Sequence, residues 1–164
     1  MIAALGLVVV GFVLMEPLTW AAHRYVMHGR GWVLHRSHHV PHEGRLEAND
    51  GFPVIFAAVV GGAMAAGFNV DGWGWLVPLA IGVTMYGAVY ALVHDGYIHR
   101  RFPMLRGRRA LDVLADAHAV HHRTGGEPFG MLAPFVPRAD RRRPAPPDAT
   151  SSRSDPAPAV TLGG

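Results

Sequence analysis

The sequence predicts an all-α integral membrane protein, a bundle of three transmembrane helices (four if a span escapes hydropathy) with a histidine cluster at its cytoplasmic face. Three observations lead there. Half of the 164 residues are apolar and 16% are charged, with a positive mean hydropathy of +0.18. Three long runs are almost free of charge, and arginines gather at particular ends of them. Ten of the eleven histidines fall into four short clusters in which two spacings alternate.

The first run, Ile2 to Ala22, holds one charge, Glu16, and is long enough as a helix to cross ~30 Å of hydrocarbon. No Lys or Arg precedes its apolar stretch, as a secretory n-region requires, so it reads as a membrane helix rather than a cleaved signal. Arg24, Arg30, Arg36 and Arg45 follow it, interleaved with the first two clusters, His23-x-x-x-x-His28 and His35-x-x-His38-His39. His42 lies outside the pattern and reads as a loop residue, and Asn49 and Asp50 read as helix caps.

The second run, Phe52 to Val70, carries no charge, and Gly61, Gly62, Ala63, Ala66 and Gly67 give it the small-residue content of closely packed membrane helices. A tight link, Asn69 to Gly72, bears only an acid. The third run, Trp73 to Val93, is again uncharged, with Gly82 and Gly87. The two runs are expected to form an antiparallel hairpin, with Trp73 and Trp75 in an interfacial aromatic belt.

Beyond it come His94-x-x-x-x-His99, the basic residues Arg100, Arg101, Arg106, Arg108 and Arg109, and His118-x-x-His121-His122. Leu111, Leu114, Ala115 and His118 recur at helical spacing, so Arg108 to His122 is expected to be an amphipathic helix covering the site. From Arg138 onward Pro, Ser, Ala, Asp and Arg dominate. Residues 1–137 are read as the membrane domain and 138–164 as a disordered tail.

By the positive-inside rule both basic segments face the cytoplasm and the tight link faces out. That topology, built on arginine, also puts all four histidine clusters on the cytoplasmic side. The expected location is a bacterial inner membrane.

The spacings carry chemistry. Residues at i, i+3 and i+4 share a helix face, so His35, His38 and His39, and likewise His118, His121 and His122, can present imidazoles toward one centre. Residues five apart sit ~140° apart on a straight α-helix, so His23 with His28, and His94 with His99, need a helix end, a π-type turn or a pair of metals. Gly29 and Gly96 suit helices that end or loosen there. Ten imidazoles exceed what one ion takes. Two ions with about five ligands each, and positions left open for oxygen, fit better.

With no cysteine, disulfides, thiolate-bound zinc, iron–sulfur clusters and cysteine-ligated haem are excluded. A bis-histidine haem would place ligands mid-span, where none lie. A zinc hydrolase needs fewer ligands, and a metal transporter needs polar groups through the membrane, where only Glu16 is available. Imidazole alone does not choose among zinc, copper, nickel and iron; non-haem di-iron chemistry with oxygen suits the whole pattern best. Asp95, Asp116 and Glu16 are candidates to orient ligand imidazoles, and Met85, Tyr86 and Tyr90 are candidates to line a substrate tunnel. No aromatics interleave with the arginines in the manner of a nucleic-acid surface.

The motifs His23-Arg-Tyr-Val-Met-His28-Gly29, Trp32-Val-Leu-His35-Arg-Ser-His38-His39, Val93-His94-Asp95-Gly96-Tyr97-Ile98-His99 and Ala117-His118-Ala-Val-His121-His122 resemble, in this order, the membrane fatty acid hydroxylase and desaturase superfamily. Within it they are most like the bacterial β-carotene hydroxylases, from about Leu14 to Pro137. The resemblance implies that the ten histidines hold two irons. It also implies a monooxygenase acting at carbons 3 and 3' of β-ionone rings, from β-carotene through β-cryptoxanthin to zeaxanthin, with oxygen and electrons from a ferredoxin-type donor. A hydroxylase or desaturase of another lipid, fatty acyl or sterol, and a non-enzymatic metal-binding or transport protein are the alternatives. The tail beyond Arg138 resembles nothing in the family.

Overall fold

The computed structural model describes residues 1–40, 44, 46–101 and 108–134. His42, Arg45, Arg106 and the tail from residue 138 lie outside the described residues. The elements of the described chain are all helical: α1 (Ile2–Ala21), which continues as a π-helix over Ala22–Arg30; α2 (Trp32–His39); a 3-10 turn (Ala48–Asp50); α3 (Gly51–Asn69); α4 (Leu76–Ala91), which continues as a π-helix over Leu92–Ile98; and α5 (Arg109–Thr124). The all-α prediction holds. Among the described residues three helical stretches are long and apolar enough to cross a membrane, Ile2–Arg30, Ala48–Asn69 and Leu76–Ile98. Their apolar side chains face outward, with Val9, Val13, Val54, Ile55 and Val59 all exposed, as expected of surfaces that meet lipid. α2 and α5 are too short and too polar to span.

The second and third runs do form the antiparallel hairpin, but the tightest packing lies elsewhere. Helix α4 packs most extensively against α1, where two glycines remove the side chains that would hold the backbones apart. A Cβ on Gly82 would stand 2.0 Å from the Val8 carbonyl oxygen, and one on Gly11 would stand 2.4 Å from that of Leu79. Phe12 meets Tyr86 edge to face one turn further on, with ring centroids 5.7 Å apart. Gly61 and Gly62, expected in the helix interface, have open space where a Cβ would go. A small-residue stripe shows what a helix can tolerate, not which neighbour uses it.

Helices α1 and α3 both lean on α4 and scarcely touch each other, which leaves an apolar crevice between them. The chain reverses direction at Val70–Trp75, so the far end of α1, the start of α3 and the far end of α4 all lie at one end of the bundle. Both π-helices, α2 and α5 are found there too.

The α1–α4 notch gives a direct test. Gly82→Val drives a side chain into backbone and should cost ~3 kcal/mol or more, read as a large drop in the thermal stability of the detergent-solubilised chain. Gly61→Ala, with open space around it, should change stability by no more than about 0.5 kcal/mol.

Candidate metal centre

Both five-residue histidine spacings are met by π-helix. The wider i→i+5 turn carries the backbone bonds Gly31 N–H to Val26 O at 2.8 Å and His99 N–H to His94 O at 2.9 Å. Gly29 departs from helical geometry at φ −100°, ψ −120° and kinks the first π segment just before its end at Arg30. His23 and His28 thereby turn to one side, as do His94 and His99.

The imidazoles form two groups. Ligating nitrogens of His23, His28, His35, His39 and His121 lie within 4.8 Å of one another, and so do those of His38, His94, His99 and His118. His122 stands beside the second group, its Nε2 2.9 Å from that of His118. The three-histidine clusters do not each face one centre. His35 and His39 enter the first group and His38 the second; His121 enters the first and His118 the second. Helices α2 and α5 lie between the groups, so residues i+3 and i+4, ~100° apart around the axis, reach opposite sides.

The hydrogen bonds decide what these pockets accept. His23 Nδ1 is 2.9 Å from the Phe129 carbonyl, His35 Nδ1 is 2.7 Å from Asn49 Oδ1, and His121 Nδ1 is 2.6 Å from the Gly126 carbonyl. In the second group His38 Nδ1 is 3.0 Å from Glu47 Oε1, and His94 Nδ1 is 3.1 Å from Asp95 Oδ1. All five partners are acceptors, so each Nδ1 carries the hydrogen and each neutral ring turns an Nε2 lone pair inward. His23 and His35 then bring two lone pairs to 3.0 Å, and His28 and His121 bring their Nε2 atoms to 3.1 Å. The Nε2 of His38 is buried and, among the described residues, has no hydrogen-bond partner. Lone pairs that converge with no hydrogen between them are the donor set a cation fits, and orienting acceptors behind the rings are what metal-binding imidazoles need. Imidazole nitrogen suits iron among other metals.

Protonation would undo this. Among the histidines outside the spans, burial is the leading cause of a lowered pKa throughout, holding His38 and His99 at about 4 and His39 at about 3. His35, His118, His121 and His122 are lowered as well. All are therefore neutral near neutral pH, the state a metal requires.

Four acceptors in this wiring escape a reading of the sequence. Asn49 orients His35 rather than only capping a helix, Glu47 holds His38, and the loop 126–134 supplies two carbonyls. Asp95 takes the expected place behind His94. Asp116 is exposed on α5 and, among the described residues, makes no hydrogen bond to an imidazole. Glu16 touches no histidine; it accepts the Tyr86 hydroxyl at 2.5 Å and the backbone N–H groups of Met131, Leu132 and Ala133 at 2.9 to 3.1 Å. Asp50 makes no side-chain cap bond to α3, which it precedes; it instead closes a capping box on the 3-10 turn, accepting the Glu47 N–H at 3.0 Å.

The crevice between α1 and α3 reaches this centre. It encloses about 390 Å³, is walled by Met15, Leu18, Phe52, Phe56, Tyr86, Gly87 and Tyr90, and ends on His35 and His94, one imidazole from each group. Tyr86 and Tyr90 are where the tunnel expectation put them. Met85 is not: it points outward, 51% exposed.

Residues 8–141 match the family described as Fatty acid hydroxylase. The chain belongs to that family. It is 38% identical over 162 residues to a beta-carotene hydroxylase of Pseudescherichia vulneris, covering 91% of each chain. It is 37% identical over 145 residues to a beta-carotene hydroxylase of a Paracoccus species (strain PC1), covering 82% of this chain and 86% of that one. A chloroplastic beta-carotene 3-hydroxylase of Haematococcus lacustris is 40% identical over 135 residues, 77% of this chain and 42% of that one. No solved structure matches. As a family member the chain is a membrane hydroxylase, and the two histidine groups described above could each hold a metal ion.

The lowered pKa values predict a pH dependence for the metal-free protein. Below the ordinary histidine value of 6.5 the unfolded chain binds protons that the folded chain refuses, so stability falls as pH falls. The melting temperature should be flat above about 6.5 and decline progressively toward about 4. A flat profile across that window would show that the imidazoles are hydrated rather than buried.

Proposed function

We propose that the chain is a β-carotene 3-hydroxylase, a non-haem di-iron monooxygenase that acts at carbons 3 and 3' of the β-ionone rings. The observation that carries this reading is one apolar crevice ending on an imidazole from each of two histidine groups whose lone pairs converge. His23, His28, His35, His39 and His121 would hold one iron, and His38, His94, His99 and His118, with His122 beside them, the other. The relatives' names, beta-carotene hydroxylase in bacteria and beta-carotene 3-hydroxylase in an alga, favour a carotenoid over a fatty acyl chain or sterol.

Each hydroxylation converts a ring CH₂ to CHOH: one oxygen atom of O₂ enters the C–H bond, the other leaves as water, and two electrons and two protons are consumed. A bound iron pair would supply the oxygen and electron chemistry that an unactivated C–H bond demands and that acid–base side chains lack. The chain's own part is positional. Leu18, Phe52 and Phe56 exclude water around a ring, Gly87 leaves it room, and His35 and His94 mark where the reacting carbon must come.

Arg24, Arg30, Arg36, Arg100, Arg108 and Arg109 are all exposed and lie near the histidine motifs in sequence. That supports a cytoplasmic orientation in a bacterial inner membrane and an acidic, ferredoxin-type electron donor. We take residues 1–137 as the catalytic unit and 138–164 as an appendage without catalytic part.

Four expectations follow. In a β-carotene-producing bacterium the intact chain should yield β-cryptoxanthin and zeaxanthin. His38→Ala and His121→Ala, one from each group, should abolish both products while the protein still reaches the membrane. Gly87→Leu, which fills the crevice, should lower product at least tenfold with iron content unchanged. Unaltered β-carotene from the intact chain with a donor supplied would turn the assignment to another lipid. Truncation after Arg138 should leave pigment yield within about twofold, and a larger loss would give the tail a role.

A further inference from the structure

Arg101 follows the second π-helix. Its guanidinium takes Asp50 with two nitrogens, each at 2.7 Å, and reaches Asp95 at 3.4 Å and Glu47 at 3.5 Å. Glu47 and Asp95 are the carboxylates behind His38 and His94, and Asp50 in turn holds the Glu47 backbone N–H. These links from Arg101 to an imidazole end in the four-histidine group. Asn49, between Glu47 and Asp50, serves the other group but has its own anchor, the Ser37 hydroxyl oxygen at 3.0 Å from its N–H.

Glu16 makes a counterpart on the other side. Its carboxylate gathers the N–H groups of Met131, Leu132 and Ala133, with the Tyr86 hydroxyl as a fourth donor. Gly130 permits this approach, since a Cβ there would stand 2.9 Å from Glu16 Oε1. The loop so pinned carries the Phe129 and Gly126 carbonyls that accept from His23 and His121. This route ends in the five-histidine group.

Resting on the two-ion reading above, we propose that Arg101 and Glu16 are positioning residues, each securing one histidine group, so that the two metal positions can be emptied independently. A carboxylate inside a membrane helix is costly unless satisfied, and here four donors satisfy it while it fixes a loop. The forked guanidinium does the equivalent for three acids. Loss of the outer partner of a ligand typically weakens metal binding about 10- to 100-fold, and the separate wiring confines that loss to one group.

The test is metal stoichiometry of the full chain in detergent, loaded anaerobically with Fe(II) and, in parallel, with Co(II) for its ligand-field absorption. The intact chain should hold two ions. Arg101→Gln and Glu16→Gln should each weaken one position by at least tenfold and hold about one ion, and the double variant almost none. Adding His118→Ala to Arg101→Gln should leave about one ion, because both changes strike the same group; adding His121→Ala should leave almost none. If either glutamine variant loses its helical circular dichroism, Arg101→Lys and Glu16→Asp replace them, with a fall in affinity at one position only as the expected result. Two ions at intact affinity in either variant, or equal weakening of both positions in a folded protein, would overturn the proposal. Fewer than two ions in the intact chain would instead overturn the two-ion reading, and the proposal with it.

Discussion

The fold answers to the convergence of nitrogen lone pairs inside it. Five rings have their hydrogen-bearing nitrogen tied outward to an acceptor, and in His23 and His35 this leaves two Nε2 lone pairs 3.0 Å apart, where a hydrogen bond would need a proton that neither supplies. Such an arrangement is unfavourable in the absence of a cation, so the surroundings must hold it against its own tendency to open. Backbone carbonyls, an amide and two carboxylates do this, and each is itself held from behind. The site is therefore three layers deep: imidazole, acceptor, and the anchor of the acceptor.

Helix geometry supplies the rest. Membrane spans are straight α-helices because every backbone group must be paired in hydrocarbon, and a straight helix cannot aim residues five apart at one point. Changing to π-helix at the end of α1 and of α4 keeps the backbone paired while turning His28 under His23 and His99 under His94. Inserting the wider turn at the end of a span avoids displacing the packing of Gly11 and Gly82 further along. Membrane insertion and metal binding thus act on consecutive parts of the same two helices without competing.

What could be read from the sequence was what is periodic or local. Uncharged runs of span length, arginine at their ends and histidine at repeated intervals gave the helices, their antiparallel order and the residues that meet. The five-residue spacing excluded a straight α-helix but left a helix end, a π-type turn and a pair of metals equally open, and it is the structure that selects the π-type turn. The division of each three-histidine cluster between two groups was not legible, because spacing fixes the angle between two side chains and not where the partner elements stand. Asn49, Glu47, Arg101 and Phe129 were missed for a related reason. Phe129 meets a histidine 106 positions away, and its contribution is a backbone carbonyl that every residue possesses. Asp116 and Met85 had the right chemistry and neighbourhood in sequence, but the helix turns both outward.

The crevice follows from how the three spans share α4. Glycines draw α1 close along one side of α4, while Phe56 opposite Gly87 sets α3 on the other, so α1 and α3 stand apart with apolar side chains between them. Its inner wall does contain polar groups, but most are already engaged: Asn49 with His35, Asp95 with His94 and Arg101, Asp50 with Arg101, and the Tyr86 hydroxyl with Glu16. A guest with a polar head would have to surrender its hydration to groups with little left to offer. A hydrocarbon ring gives up nothing on leaving the bilayer for such a space, and it reaches His35 and His94 without disturbing the hydrogen bonds that orient them. The wiring that orients these imidazoles thus also leaves the chamber beside them with few free polar partners.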